Sequence, residues 1–204
     1  MSDSETFIQL PLEMDADSKA VTMPEVYGTP SYTAELAALN DLHRQLLTLN
    51  APIPPPPLPV NPKRSANVTK LRESGNTYFR QAKHADALRM YSLGLEMALK
   101  RPLWEPCAIS REEVACLYAN RAQVHMAMQN WPQGAIDAES SVEAKKAGNA
   151  KAWWRRGRCL SEMGRLDEAR EWLIRGLEIE GDEADLLSLL KEITKTKKRN
   201  NNSV

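Results

Sequence analysis

"RRGRCLSEMGRLDEAREWLIRGLEIE", residues 155–180, reads as two helices with a break at 164–165. Its apolar residues recur every three or four positions on both sides of that break, the spacing of an amphipathic helix face. Gly181-Asp182 then stops the second helix and starts the next. The same pattern occurs upstream in "ESGNTYFRQAKHADALRMYSLGLEMA", residues 73–98. There Gly75 stands for Gly157, Ala87 for Ala169, Tyr91 for Leu173 and Gly94 for Gly176. A middle copy, "ANRAQVHMAMQNWPQGAIDAESSVE", residues 119–143, puts Ala122, Gly134 and Ala138 in the corresponding places. Small residues belong where the two helices of a hairpin approach closely, and large ones fill the space between hairpins.

Working outward, the periodicity predicts helices at 67–80, 84–99, 110–128, 132–146, 150–163, 166–179 and 183–197. Ser110 and Glu113 have the spacing of a capping box, and Gly148-Asn149 ends one helix and caps the next. Three helical hairpins and a seventh helix result. The step from Ala122 to Gly157 is 35 residues, whereas Gly75 to Ala122 is 47, so an insertion lies at "KRPLWEPCAIS". With a period near 34 residues, the stretch 67–197 resembles a domain of three tetratricopeptide repeats plus a capping helix. The fold implied is all-α, a right-handed α-solenoid. Such a stack needs a final helix that is polar outside. Leu186, Leu190 and Ile193 are expected to face inward, with the cations of "KTKKR" at the C-terminal end, where the helix dipole favours them.

The chain before that domain divides by composition. Residues 1–22 read as an acidic, flexible start, 23–50 as a partner-docking segment, 51–66 as a proline-rich linker, and 198–204 as a flexible tail. Within "TAELAALNDLHRQLLTLN", Leu36, Leu39, Leu42 and Leu46 form one apolar helix face. A lone helix before "APIPPPPLPVNPKR", read as an extended spacer, docks either on its own domain or on a partner. In the insertion, Leu103 and Trp104 call for a pocket of the chain's own or a partner's.

Composition removes whole classes of function. Formal net charge is +0 with 26% charged residues, so no general field draws a polyanion. No apolar run is long enough to cross a membrane, and "MSDSETFIQL" is acidic where a signal peptide is basic. Cys107, Cys116 and Cys159 are odd in number and lack metal-type spacing, which fits reduced thiols. His43, His84 and His125 fall in separate elements, and neither a phosphate loop nor a nucleophile elbow is present. The reading is non-enzymatic, with no cofactor and no metal.

Binding chemistry is concentrated on the first helices of the repeats. Arg72 and Asn76 stand four apart on one, Lys151 and Arg155 four apart on another, and Asn120 lies at the corresponding phase of the middle one. Residues four apart share a helix face, so three cations and two amides are expected to converge. "NAKAWWRRGR", residues 149–158, therefore divides: Trp153 and Trp154 go to packing, Lys151 and Arg155 to a groove, and Arg156 and Arg158 elsewhere. Paired carboxylates suit this spot, because a peptide ending in Asp offers two that accept from Arg, Lys and Asn.

These five positions resemble the carboxylate-clamp subfamily of tetratricopeptide domains, which bind the Glu-Glu-Val-Asp tails of cytosolic heat-shock chaperones. The resemblance implies Arg72 in place of the clamp's first lysine, Asn76 and Asn120 as its asparagines, and Lys151 and Arg155 as its closing pair. Phe79 and Met126 are then expected to flank the tail's apolar side chain.

The leucine helix, the proline linker, the insertion with "RPLWEP" and "NAKAWWRRGRCLSEMGRLDEA" together resemble the family of tetratricopeptide subunits of the fungal post-translational Sec translocon. That resemblance implies an adaptor on the cytosolic face of the endoplasmic reticulum, peripheral, and held by a small membrane-anchored Sec subunit. It would receive precursor-loaded chaperones of the seventy-kilodalton class. Two other readings remain open from sequence: a general cytosolic co-chaperone, and a helical-repeat protein that stacks RNA bases on its tryptophans. Zero net charge disfavours the second.

Overall fold

A computed structural model describes residues 9–47, 60, 62–102 and 105–201. The chain forms two units, one up to Pro59 and one from Val60. Most of the proline run, residues 1–8, Leu103 and Trp104 of the insertion, and residues 202–204 lie outside the described residues.

In the first unit, strands β1 (Glu13–Met14) and β2 (Val21–Thr22) pair antiparallel, Glu13 opposite Thr22 and Met14 opposite Val21. The Asp15 carboxylate closes the turn by accepting from the Ser18 amide and hydroxyl, both at 2.6 Å. A 3-10 turn (Glu25–Tyr27) leads to helix α1 (Pro30–Leu47). Asn40 of α1 then ties the hairpin down, accepting from Val21 N at 2.7 Å and donating to Val21 O at 2.8 Å. The sequence reading of 1–22 as a flexible start is thus corrected over the hairpin. Two-residue strands are too short for periodicity to register, and the tether is a side-chain amide 19 residues away.

Among the described residues, seven helices make the second unit: α2 (Pro62–Arg80), α3 (His84–Leu99), α4 (Cys107–Ala127), α5 (Trp131–Ala144), α6 (Ala150–Glu162), α7 (Leu166–Glu180) and α8 (Ala184–Asn201). They form the expected all-α stack of three hairpins and a cap. The anchors act as the repeat predicts. A Cβ on Gly75 would meet the Tyr91 ring at 2.6 Å, and one on Gly157 would meet Leu173 at 2.7 Å. Each glycine lets a large residue of the second helix reach the backbone of the first. Leu173 is wholly buried, and removing such a side chain from water is worth about 1.5–3 kcal/mol. At the C-terminal end Trp153, Leu160 and Leu173 pack with Leu186, Leu189 and Ile193 of α8. Leu190 packs against the same core as expected, half-buried, and Leu189 is buried beside it.

Three local expectations are corrected. Helix α2 starts at Pro62, inside the span read as linker (51–66), because proline's fixed φ suits a first helical turn. Helix α4 starts at Cys107, so Ser110 is already helical and no capping box forms. Its hydroxyl donates to Ala98 O at 3.2 Å, while Arg101 takes Glu113 with bonds of 2.6 and 3.1 Å. Asn149 precedes α6 but caps the end of α5 instead, donating to Ser141 O at 3.1 Å and Lys145 O at 2.9 Å. The Glu180 carboxylate accepts the free amides of Gly148 and Asn149 at 3.0 and 2.7 Å, stapling the end of α7 to the start of α6.

Candidate functional site

The first helices of the hairpins, α2, α4 and α6, together with α8, wall a cleft of about 1070 Å³. Arg72 of α2, Asn120 of α4, and Lys151 and Arg155 of α6 all line it. The i, i+4 spacing on α6 puts Lys151 and Arg155 on one face because 3.6 residues make a turn. Trp153 points the other way: it is buried, donates to Lys146 O at 2.9 Å and packs against Trp172 with ring centroids 4.4 Å apart. Trp154 packs on the core while also lining the cleft. Arg156 lies 4.2 Å over the Trp172 ring and pairs with Glu139, and Arg158 pairs with Glu162 and Glu192.

Asn76 stands behind the lining. Its Oδ1 accepts from the Tyr91 hydroxyl at 2.6 Å and from Asn120 Nδ2 at 3.1 Å, which couples α2, α3 and α4 at this point. Arg155 donates from Nε to Gln123 Oε1 at 2.9 Å. Among the described residues, Arg72, Lys151 and Arg155 have no carboxylate within ion-pair distance, in contrast to Lys145, which meets Glu112 at 2.7 Å. Burial pushes the Arg155 guanidinium below its ordinary pKa, with Tyr91 and Cys159 acting the other way. A cation that has lost part of its hydration and has a neutral amide for a partner is well prepared for an anion.

Phe79 and Met126 are not on the cleft wall. Met126 is buried with Ala135 and Cys159. It is six residues after Asn120, which turns it about 120° away from the groove face. Phe79 packs on the cluster around Val68 and Tyr91, with its ring 5.7 Å from that of His84.

Two features escaped the sequence reading. Gln123 lies one turn after Asn120, and that i+3 spacing was the available signal. The far wall is acidic, with Glu183, Asp185 and Glu192 in or beside α8. The spacing of Asp185, Ser188 and Glu192 marks that face, but only the packing of α8 onto α6 brings it to the cleft. Among the described residues no cluster of His, Cys, Asp and Glu is arranged to hold a metal ion, and no helix is long and apolar enough to cross a membrane.

In the first unit Leu36, Leu42 and Leu46 are half-buried and Leu39 is 40% exposed. Leu12, Met14, Val26 and Tyr27 are also exposed there.

Comparison with known proteins bears on both units. The tetratricopeptide repeat family matches residues 126–193. The chain is 30% identical over 171 residues to the ER protein translocation subcomplex subunit sec67 of Schizosaccharomyces pombe, covering 80% of this chain and 88% of that protein. A chain in the cryo-EM structure of the Sec complex from S. cerevisiae superposes with a TM-score of 0.69 at 25% identity, covering 94% of this chain and 100% of that one. The first TPR of Spaghetti (RPAP3), solved bound to the HSP90 peptide SRMEEVD, superposes with a TM-score of 0.54 at 24% identity, covering 65% of this chain and 94% of that one.

Proposed function

Because this chain belongs to the family of the ER protein translocation subcomplex subunit sec67, we propose that its cleft receives the C-terminal acidic tail of a cytosolic heat-shock chaperone of the seventy-kilodalton class. The protein would thereby dock precursor-loaded chaperone at the Sec complex. The observation that carries this reading is the cleft itself: Arg72, Lys151 and Arg155, all without carboxylate partners among the described residues, line it together with Asn120. A tail ending in Asp brings two carboxylates within reach of such donors, and a hydrogen bond to a charged group contributes about 1.5–3 kcal/mol. Several of these, less the cost of ordering the tail, leave about 8 kcal/mol, which is micromolar binding. A repeat domain of the same fold is solved with a peptide ending in EEVD.

The first unit supplies the second half of the function. Its apolar face, with Leu36, Leu39, Leu42 and Leu46, is the docking surface for a small membrane-anchored Sec subunit. That contact would hold the protein peripherally on the cytosolic face of the endoplasmic reticulum. A free co-chaperone has no need of such a surface. Sedimentation with microsomes, lost on Leu39→Glu without loss of fold, distinguishes the two; a variant that still sediments removes this role from α1.

The clamp is tested by calorimetric titration of the full chain with a peptide ending Ile-Glu-Glu-Val-Asp, beside its C-terminal amide and beside Arg155→Ala. Micromolar binding to the free acid, abolished by amidation and weakened at least tenfold by Arg155→Ala, is expected. No binding to the free acid ends the tail-binding reading.

A further inference from the structure

We propose that Tyr91 is a positioning residue for ligand binding: its hydroxyl holds the Asn76 amide with both N–H groups turned away from the core and toward the groove. This rests on the tail-binding reading above. Tyr91 is 2% exposed and belongs to α3, outside the cleft wall. Gly75 permits its approach, since any side chain there would strike the ring at 2.6 Å. The ring is thus pressed against α2 one residue before Asn76, and the hydroxyl reaches Asn76 Oδ1 at 2.6 Å. Asn120 Nδ2 donates to the same oxygen at 3.1 Å.

One carbonyl oxygen therefore receives two donors from two neighbouring helices. An amide carries its acceptor on one side and its two donors on the other, so anchoring the oxygen inward sends the donors outward. Were the amide flipped, its N–H groups would face the Asn120 donor, and its oxygen would meet the ligand's carboxylate. Burial raises the Tyr91 pKa, with Arg155, Arg72 and Arg80 opposing, so the phenol keeps its proton at neutral pH. A buried residue without ligand contact thereby decides whether the Asn76 amide, behind the cleft lining, offers donors or an acceptor toward the groove.

Titrate full-length wild type, Tyr91→Phe, Asn76→Ala and the double variant with the free-acid peptide, alongside thermal unfolding of each. Tyr91→Phe keeps the ring against Gly75 and removes only the hydroxyl. Expected is roughly tenfold weaker binding in the wild-type background and no further loss in the Asn76→Ala background, because Tyr91 acts through Asn76. Equal losses in both backgrounds, or no loss in either, overturn the proposal. Wild-type binding with an unaffected Tyr91→Phe sinks this role alone, whereas no wild-type binding sinks the tail reading and this role with it. If Tyr91→Phe does not fold, the side-chain amide signals of Asn76 in wild type decide: they shift on peptide addition, and signals that do not move overturn the assignment.

Discussion

Arg121 of α4 grips Asp137 of α5 with two hydrogen bonds of 2.7 Å, Nε to Oδ2 and Nη2 to Oδ1. Its third nitrogen donates to Ser92 Oγ of α3 at 3.0 Å, so one guanidinium joins three helices across two repeats. Asp137 is only 3% exposed. Removing one partner of a buried pair leaves the other charge without compensation. Asp137→Ala should lower the stability to urea by about 3 kcal/mol, and a shift below 1 kcal/mol would show the pair to be energetically idle.

The same carboxylate faces His125, whose Nε2 lies 3.6 Å from Asp137 Oδ2 and whose buried Nδ1 has no partner among the described residues. Burial lowers the His125 pKa below 6.5, with Asp137 opposing and Arg121 adding to the depression. The folded state therefore binds this proton less readily than the unfolded chain. Its contribution is complete above the unfolded value and is lost as pH falls from there through the folded value. Thermal unfolding followed from pH 7.5 down to 5.5 should show stability falling, with a shallower fall in His125→Gln. Identical slopes would assign the dependence to other groups.

Each hairpin turns through a left-handed residue seven positions after its anchor: Ala82 at φ 57°, Gln129 at φ 58° and Gly164 at φ 77°. Only the third is a glycine. An L side chain in this region costs roughly 1–2 kcal/mol, and glycine's extra freedom in the unfolded chain returns part of that. Ala82→Gly and Gln129→Gly should each stabilise by about 0.5–1 kcal/mol, or about 2–4 °C per kcal/mol in a chain of this size. Gly164→Ala, with open space around its Cβ, should destabilise through φ alone.

What the sequence makes legible is what repeats. Gly75, Ala122 and Gly157 gave the hairpins and their order, and the phase they set placed Arg72, Asn120, Lys151 and Arg155 on one wall. What escapes it are contacts between distant, non-repeating segments. Glu113 has the spacing of a cap but is taken by Arg101, and Asn149 has the chemistry of a cap but serves the preceding helix. Phe79 and Met126 were named by resemblance alone, and both pack on core clusters off the cleft wall. The acidic wall becomes visible only when α8 is folded onto α6.

The three thiols should differ in reactivity. Cys107 and Cys116 are exposed, while Cys159 is wholly buried between hairpins, with its pKa pushed up to about 12, chiefly by burial. The thiolate is the nucleophile, so at pH 8 the native protein should give two equivalents with an aromatic disulfide reagent and the third only in denaturant. Prompt reaction of all three would mean that the α5–α6 contact, where a Cβ on Gly134 would stand 3.0 Å from this sulfur, opens readily.

The insertion is braced from beneath by Arg101, whose side chain is 4% exposed. It pairs with Glu105 inside the insertion, takes Glu113 of α4 at 2.6 Å, and donates to Ser65 Oγ of α2 at 2.6 Å. Three segments that share no repeat position thus meet on one side chain. Arg101→Ala strands two carboxylates beneath the insertion and should cost about 3–5 kcal/mol. Arg101→Met, with Glu105→Gln and Glu113→Gln, removes every charge and should recover most of that loss. Hydrogen exchange locates the effect: in Arg101→Ala, amides in the first turn of α4 should lose protection, while those of α6 and α7, which do not touch the network, keep theirs. Uniform loss along the whole stack would instead mean that the repeats unfold as one unit and that the insertion has no stability of its own to lose.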